Sequence, residues 1–293
     1  MNRRDFLKLS GLFVLMNRLA TGHVWAKETP VVAVAEGPDY GAVTRSAVNA
    51  LGGMGRFVKA GSTVVVKPNM GWDRRPEQAA TTHPAVVKAI VEECLKAGAK
   101  RVKVFDNPCN DARRSYENSG IPAALNGLRN VDVKFMDEER YKKVSLKGTF
   151  LDEWELYSEA LSADVFINVP IAKHHSLTGL TLGLKNMMGI MGGDRGFIHR
   201  RIEDALSDVS AVVKSHLVAI DATRILIAHG PTGGSLRDVK VLNKVIASTD
   251  IVAADAYATG LFGLKPQDIP ITVTAHKRGL GEIDLGRVQV KRA

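Results

Sequence analysis

The sequence predicts an α/β fold: a mainly parallel sheet flanked by helices, layered in the Rossmann-like manner, as a single large domain. Two observations carry this. Short β-branched runs alternate with stretches of helical apolar spacing along most of the chain, the pattern of strands that run parallel because a helix returns the chain each time. No long linker, internal repeat or low-complexity stretch interrupts the alternation, and residues 27–293 suffice for one sizeable core.

The first strand is expected at 31–35, with others at 63–66, 102–105, 131–135, 165–169, 217–220 and 225–228. Between the second and third, Val86, Val87, Ile90, Val91, Cys94 and Leu95 fall on one helical face over 84–97; Pro84 suits the first turn and Gly98 the exit. A second clear helix runs from about 201 to 215. The charged stretch 138–148 reads as a surface hairpin or excursion, and 136–157 marks the extent of any smaller lobe. Asp250 reads as the cap of a further helix, with Asp255 one turn inside.

Residues 1–26 read as a twin-arginine signal peptide. Arg3 and Arg4 precede Asp5-Phe6-Leu7-Lys8, the uncharged run 9–16 is too short to span a bilayer, and Val24-Trp25-Ala26 offers a small-residue ending. The expectation is passage through the twin-arginine translocation machinery to the periplasm or another extracytoplasmic space, by a route that carries folded proteins.

The formal net charge is +9, part of it from the leader. Lys and Arg are interspersed with Asp and Glu and have few aromatics beside them, which argues against nucleic acid and leaves room for a basic pocket that takes a small anionic ligand. The chain has two cysteines, Cys94 and Cys109, so a self-contained iron–sulfur cluster or four-cysteine zinc site is excluded. Cys94 belongs to an apolar helix face; Cys109, in a polar loop, is the partner it would have in an oxidising compartment.

In such sheets ligands bind beyond the carboxyl ends of the strands, and the polar residues of interest fall there: Lys67 and Asn69, Asp106 and Asn107, the run 170–175, Asp221, and the turn after 228. The densest segment, 168–200, combines Lys173, His174, His175, Lys185, Asn186, Arg195 and His199 with several glycines. Glycines let backbone N–H groups approach an anion, and Lys173, Lys185 or Arg195 neutralises its oxygens. Histidines there supply proton transfer or nitrogen ligands to a metal. Adjacent histidines in an extended segment point to opposite faces, so one of His174 and His175 is expected to serve the site, with Asp106 or Asp221 to orient a histidine.

His83, just before a helix, either reaches the cleft or caps the helix. Gly233 and Gly234 form a turn suited to an anion, but neither nucleotide-binding glycine fingerprint is present, nor is a nucleophile elbow or a His-Glu-x-x-His helix.

Together Val-Val-Val-Lys67-Pro-Asn69, Thr82-His83-Pro84, Ile-Asn168-Val-Pro-Ile-Ala-Lys173-His174, Thr178-Gly179-Leu-Thr-Leu-Gly-Leu-Lys185-Asn186-Met-Met-Gly189, His199-Arg200 and Asp250-Ile-Val-Ala-Ala-Asp255 resemble domain of unknown function family 362 over nearly all of the mature chain. The resemblance implies relatedness without an agreed activity, and it selects His174 over His175. Some members carry ferredoxin-like cysteine clusters, which this chain lacks. A more distant likeness is to the nickel-pincer lactate racemase family, whose sites combine histidines with lysines near a glycine-containing turn.

Two readings follow. The first is an enzyme acting on a small anionic substrate, with room for a metal or organic cofactor loaded before export. Lys173, His174, Lys185 and His199 form its catalytic set, Lys67, Asn69, His83, Asn186, Arg195, Gly233 and Gly234 surround the ligand, and His174 and His199 serve as the metal ligands. The second is a non-catalytic binding or assembly protein whose partner is a periplasmic redox system.

Overall fold

The computed structural model describes residues 29–293; the leader read at 1–26 lies outside the described residues. Among the described residues twelve strands and nine α-helices alternate. The strands are β1 (Val31–Glu36), β2 (Thr63–Pro68), β3 (Arg101–Val104), β4 (Val131–Val133), β5 (Tyr141–Ser145), β6 (Glu153–Tyr157), β7 (Val165–Val169), β8 (Ile171–His175), β9 (Gly179–Thr181), β10 (Leu217–Leu226), β11 (Val239–Ser248) and β12 (Gln289–Arg292). The helices are α1 (Tyr40–Ala50), α2 (Pro84–Lys96), α3 (Ala112–Ser119), α4 (Ile121–Leu125), α5 (Ser158–Ser162), α6 (Gly183–Asn186), α7 (Ile202–Val212), α8 (Ile251–Thr259) and α9 (Pro270–Lys277).

Ten strands form one sheet with the path β12-β1-β11-β10-β7-β2-β3-β4, and β8 pairs with β10 and β9 beside it. From β10 to β4 every neighbour is parallel, whereas β11 runs antiparallel to both β10 and β1. Strand alternation sends Val64 and Val66 to one face and Val65 to the other, and the core divides accordingly. Helices α1, α2 and α4 pack on the first face, α7, α8 and α9 on the second. Among the described residues no helix is long and apolar enough to cross a membrane.

The helix expected over 84–97 is α2, with His83 as its N-cap and Gly98 at φ 97° beyond its end. The second expected helix is α7, entered through a short 3₁₀ turn at Phe197–Arg201. The charged stretch contributes a hairpin: β5 pairs antiparallel with β6. One expectation changes. Residues 217–220 and 225–228 are not two strands but the single strand β10, so Asp221 lies inside a strand rather than in a loop after one. Cys94 is buried in α2, as its apolar face implied, and it and the exposed Cys109 are both free thiols.

The parallel run has one reversal of order. The chain goes outward from β2 to β3 and β4, then returns to place β7 and β10 on the other side of β2. The crevice beyond the carboxyl ends of β2 and β7 lies at this switch point, where loops diverge and leave space for a ligand.

Candidate functional site

A cavity of about 350 Å³ occupies that crevice, lined by Lys67, Asn69, Asp106, Asn107, Lys173, His175, Lys185, Asn186, Arg195 and His199, with Trp72, Cys109, Met188 and Pro231 among its other walls. Each wall has a simple origin. Lys67 lies at the end of β2 and Asn69 just beyond it, Asp106 and Asn107 follow β3, Lys173 and His175 share one face of β8, and Lys185 and Asn186 end the short helix α6. Asp255 fixes that helix by accepting from Gly183 N–H at 2.7 Å and Leu184 N–H at 2.9 Å. Burial raises its carboxyl to about 7 against the pull of these two donors.

The three lysines are in different states. Lys67 is fully buried and its ammonium is saturated: it pairs with Asp106 Oδ1 at 2.6 Å and donates to Pro68 O at 2.7 Å and Asn186 Oδ1 at 3.1 Å. Asp106 in turn accepts from Met70 N–H at 2.6 Å and Asn107 N–H at 3.0 Å. Lys67 is therefore a structural cation at the cavity floor. Lys173 donates to Ala80 O at 2.6 Å and Asn69 Oδ1 at 3.3 Å, and burial lowers it to about 7. Lys185 is 8% exposed and, among the described residues, donates to the thioether of Met188 at 2.9 Å and to no oxygen. Burial lowers it to about 8, opposed by the Cys109 thiol and assisted by Arg195 and Lys67.

Asn186 knits the floor together. Its amide donates to Asn168 Oδ1 at 2.8 Å, while its oxygen accepts from Asn69 Nδ2 at 2.9 Å as well as from Lys67. Arg195 donates to Asn107 O at 2.8 Å and Pro108 O at 2.9 Å, which holds the loop after β3 against the cavity mouth. His199 Nδ1 lies 3.0 Å from Arg195 O. With its proton on Nδ1, the ring leaves Nε2 as a free acceptor. Burial and then Lys185 lower its pKa.

The choice of His174 is corrected by strand parity. Lys173 and His175 lie two residues apart on β8 and both line the cavity, whereas His174 points to the opposite face and its Nδ1 accepts from Gly230 N–H at 3.1 Å. His174 and His199 are thus not brought together as metal ligands, and among the described residues no group of three or more His, Cys, Asp or Glu side chains converges. Burial, followed by Lys185 and Lys173, lowers His175 to about 3, so its ring is neutral at pH 7.

His83 is also outside the cavity: its Nδ1 accepts from Ala85 N–H at 3.1 Å as the cap of α2. Asp221 meets the backbone N–H of His83 at 2.7 Å rather than its ring, and Asp106 is engaged by Lys67, so neither carboxylate orients a histidine. Gly233 and Gly234 do not line the cavity; Gly233 N–H closes its own turn on His229 O at 3.0 Å, and Pro231 supplies the wall. Lys67, Asn69, Lys173, Lys185, Asn186, Arg195 and His199 are brought together. His175, set aside in favour of His174, belongs to the cavity wall, as do Cys109 and Trp72, for which the sequence suggests no role at the ligand. The first had a signal, its spacing of two from Lys173; the other two become neighbours of the lysines through loop packing alone.

A family model described as Domain of unknown function (DUF362) matches residues 64–260, a span containing every residue of the cavity wall. The thylakoid-associated protein sll1697 of Synechocystis sp. is 31% identical over 245 residues, which is 80% of this chain and 74% of that protein. The structure of the lactate racemase apoprotein from Thermoanaerobacterium thermosaccharolyticum is similar at a TM-score of 0.45 and 12% identity, over 75% of this chain and 54% of that one, so this chain spans about half of its length. By the extent of the family match and the identity to the Synechocystis protein, the chain belongs to the DUF362 family.

Proposed function

We propose that this protein is an enzyme that binds a small organic anion in the lysine cavity and exchanges a proton with it. The observation that carries the reading is a pair of buried lysines, Lys173 and Lys185, that face one cavity with no carboxylate paired to either among the described residues. A buried ammonium without a counter-ion favours an anion that supplies one. Lys185, with no oxygen acceptor among the described residues, is the anion's principal contact, and Arg195 adds charge at the mouth. Lys173, lowered to about 7, and His199, whose ring burial favours in the neutral form with Nε2 as acceptor when Nδ1 carries the proton, are the groups that take up or release the proton; a group whose pKa lies near the working pH, as that of Lys173 does, transfers it most effectively.

Volume supports the substrate size: about 350 Å³ suits a small metabolite. The leader at 1–26 and an extracytoplasmic site of action belong to the same reading. So does loading of any metal or organic cofactor before export.

The test is calorimetric titration of the full chain with inorganic phosphate at pH 7, followed by solvent-deuterium incorporation into a panel of small carboxylates by NMR. Phosphate binding is expected to weaken at least tenfold in Lys185→Met, and exchange to disappear in Lys173→Met with phosphate binding retained. Unchanged phosphate binding in Lys185→Met would overturn the assignment of the anion contact, and exchange equal in wild type and Lys173→Met would overturn the catalytic role.

A further inference from the structure

One polar atom on the wall of the lysine cavity takes no part in the anion contact or the proton transfer: Nε2 of His175. The residue ends β8 and is 6% exposed, on the same strand face as Lys173. Its Nδ1 accepts from the N–H of Leu177, two residues on, at 3.2 Å. A backbone N–H only donates, so Nδ1 is the unprotonated nitrogen, and in a neutral ring the proton sits on Nε2. Burial, then the charges of Lys185 and Lys173, keeps the ring neutral. The two histidines of the cavity thus offer opposite atoms to a ligand: His199 an accepting Nε2 when its Nδ1–H meets Arg195 O, and His175 a donating Nε2–H.

The Nε2–H of His175 is a donor in want of an acceptor. Among the described residues nothing receives it, yet the atom is not sealed from solvent and its ring lines the cavity. The oxygens of three other polar side chains on the same wall are spent. Asn69 Oδ1 accepts from Lys173 and, at 3.4 Å, from Gly71 N–H; Asn186 Oδ1 accepts from Lys67 and Asn69; Asp106 is held by Lys67 and the N–H groups of Met70 and Asn107. A ligand oxygen would complete the donor. A neutral imidazole N–H brings no charge, so it suits an uncharged carbonyl oxygen, whereas the ammonium of Lys185 suits a carboxylate.

We propose that His175 donates from Nε2 to a carbonyl oxygen of the substrate, which makes that substrate a small oxo acid, with a carboxylate for Lys185 and an enolisable carbonyl for His175. On the proton-exchange reading of this cavity, on which this rests, the C–H bond beside the carbonyl breaks and its proton passes to unprotonated Lys173 Nζ or to His199 Nε2. The electron pair of that bond forms a C=C bond, and the carbonyl pair moves onto oxygen. The hydrogen bond from His175 strengthens as the enolate charge develops there, and His175 itself keeps its proton throughout. Return of a proton to carbon reverses the step, so no oxidant or reductant takes part.

Two substitutions separate the two ring nitrogens. His175→Asn keeps an acceptor at the δ position for Leu177 N–H and removes the ε donor; His175→Gln keeps an N–H at the ε position and removes the δ acceptor. Calorimetric titration of the full chain at pH 7 with pyruvate, and with propionate, which lacks the carbonyl, reads the carbonyl's share of binding. Solvent-deuterium exchange into the pyruvate methyl group, followed by NMR, reads its share of the step. Wild type is expected to bind pyruvate at least about tenfold more tightly than propionate, the scale of one well-placed hydrogen bond. His175→Asn should lose that preference and slow exchange at saturating pyruvate by at least about tenfold, with phosphate affinity close to wild type, and His175→Gln should retain the preference.

The proposal is overturned if wild type binds phosphate but does not prefer pyruvate to propionate, or if His175→Gln does no better than His175→Asn, which would mark the ring as a structural acceptor for Leu177. Nitrogen NMR of the ligand-free protein labelled in histidine checks the tautomer independently of any turnover: a proton on His175 Nε2 supports the proposal and a proton on Nδ1 overturns it. Loss of phosphate, pyruvate and propionate binding together in wild type is the failure of the anion site itself, and the oxo-acid assignment falls with it.

Discussion

Gly189 shows how closely backbone and charge are fitted at the cavity floor. A Cβ built on it would overlap Asp106 Oδ1 and lie 2.5 Å from Lys67 Nζ, at the heart of a fully buried ion pair. Neither partner can retreat, because Lys67 and Asp106 are each fixed by further hydrogen bonds. Gly189→Ala is expected to destabilise the protein by about 3–5 kcal/mol, the scale of a broken buried ion pair, as read from chemical denaturation. A change below about 1 kcal/mol would mean that the pair yields to the methyl group. The residue scale also explains why three lysines in one cavity differ in kind. Lys67 has three acceptors, Lys173 two oxygens and Lys185 a thioether, so burial, which lowers the pKa of all three, is offset by a carboxylate in the first and left for a ligand to offset in the last.

Among the elements, β8 carries the clearest lesson. Residues 170–175 read from the sequence as a polar loop after a strand, but they form a further strand against β10 and β9, and strand alternation then decides which histidine faces the ligand. Strand β10 misled in the opposite way: Asp221, Thr223 and Arg224 interrupt its apolar run, yet the whole strand is buried because hydrogen bonds satisfy Asp221 and Thr223 inside it. The hairpin of β5 and β6 is fastened to the second helical layer by Asp208 of α7. That carboxylate accepts from the N–H groups of Thr149, Phe150 and Leu151 at 2.8, 3.1 and 2.9 Å and pairs with Arg278 at 2.6 Å. Asp208→Ala, which leaves three N–H groups and a guanidinium without their acceptor, is expected to cost about 3 kcal/mol. Thermal unfolding should show the loss, and a midpoint within a degree of wild type would refute the anchoring role.

For the molecule as a whole, the buried lysines couple stability to pH. Below pH 7 both the folded and the unfolded chain carry the Lys173 proton, and the fold bears the full cost of a buried ammonium. Between about 7 and the ordinary 10.5 the folded chain has lost that proton while the unfolded chain still binds it, so stability rises with pH; Lys185 adds the same sign from about 8 upward. Each lysine contributes a slope of about 1.4 kcal/mol per pH unit inside its window. Relative to a Lys173→Met, Lys185→Met double variant, the wild-type urea midpoint should climb from pH 7 to pH 10, whereas its affinity for phosphate should fall over the same range. Parallel curves for the two proteins would show that neither lysine titrates early.

The sequence by itself determined the layered α/β architecture, because strand and helix periodicities are local: 31–35, 63–66, 102–105 and 165–169 became β1, β2, β3 and β7, and 84–97 became α2. It also located the cavity's neighbourhood, since glycines and cations following strands point to the carboxyl edge of a parallel sheet. Strand β11 escaped notice because Lys240, Asn243 and Lys244 break its apolar pattern, and its place between β1 and β10 depends on partners far away in the chain. Tertiary structure alone decided which side chains share the cavity. Whether a lysine ends beside a carboxylate, a carbonyl or a thioether depends on how distant strand ends meet. That meeting set Lys67 against Asp106, left Lys185 without an oxygen partner among the described residues, and turned His174 away while His175 faced inward.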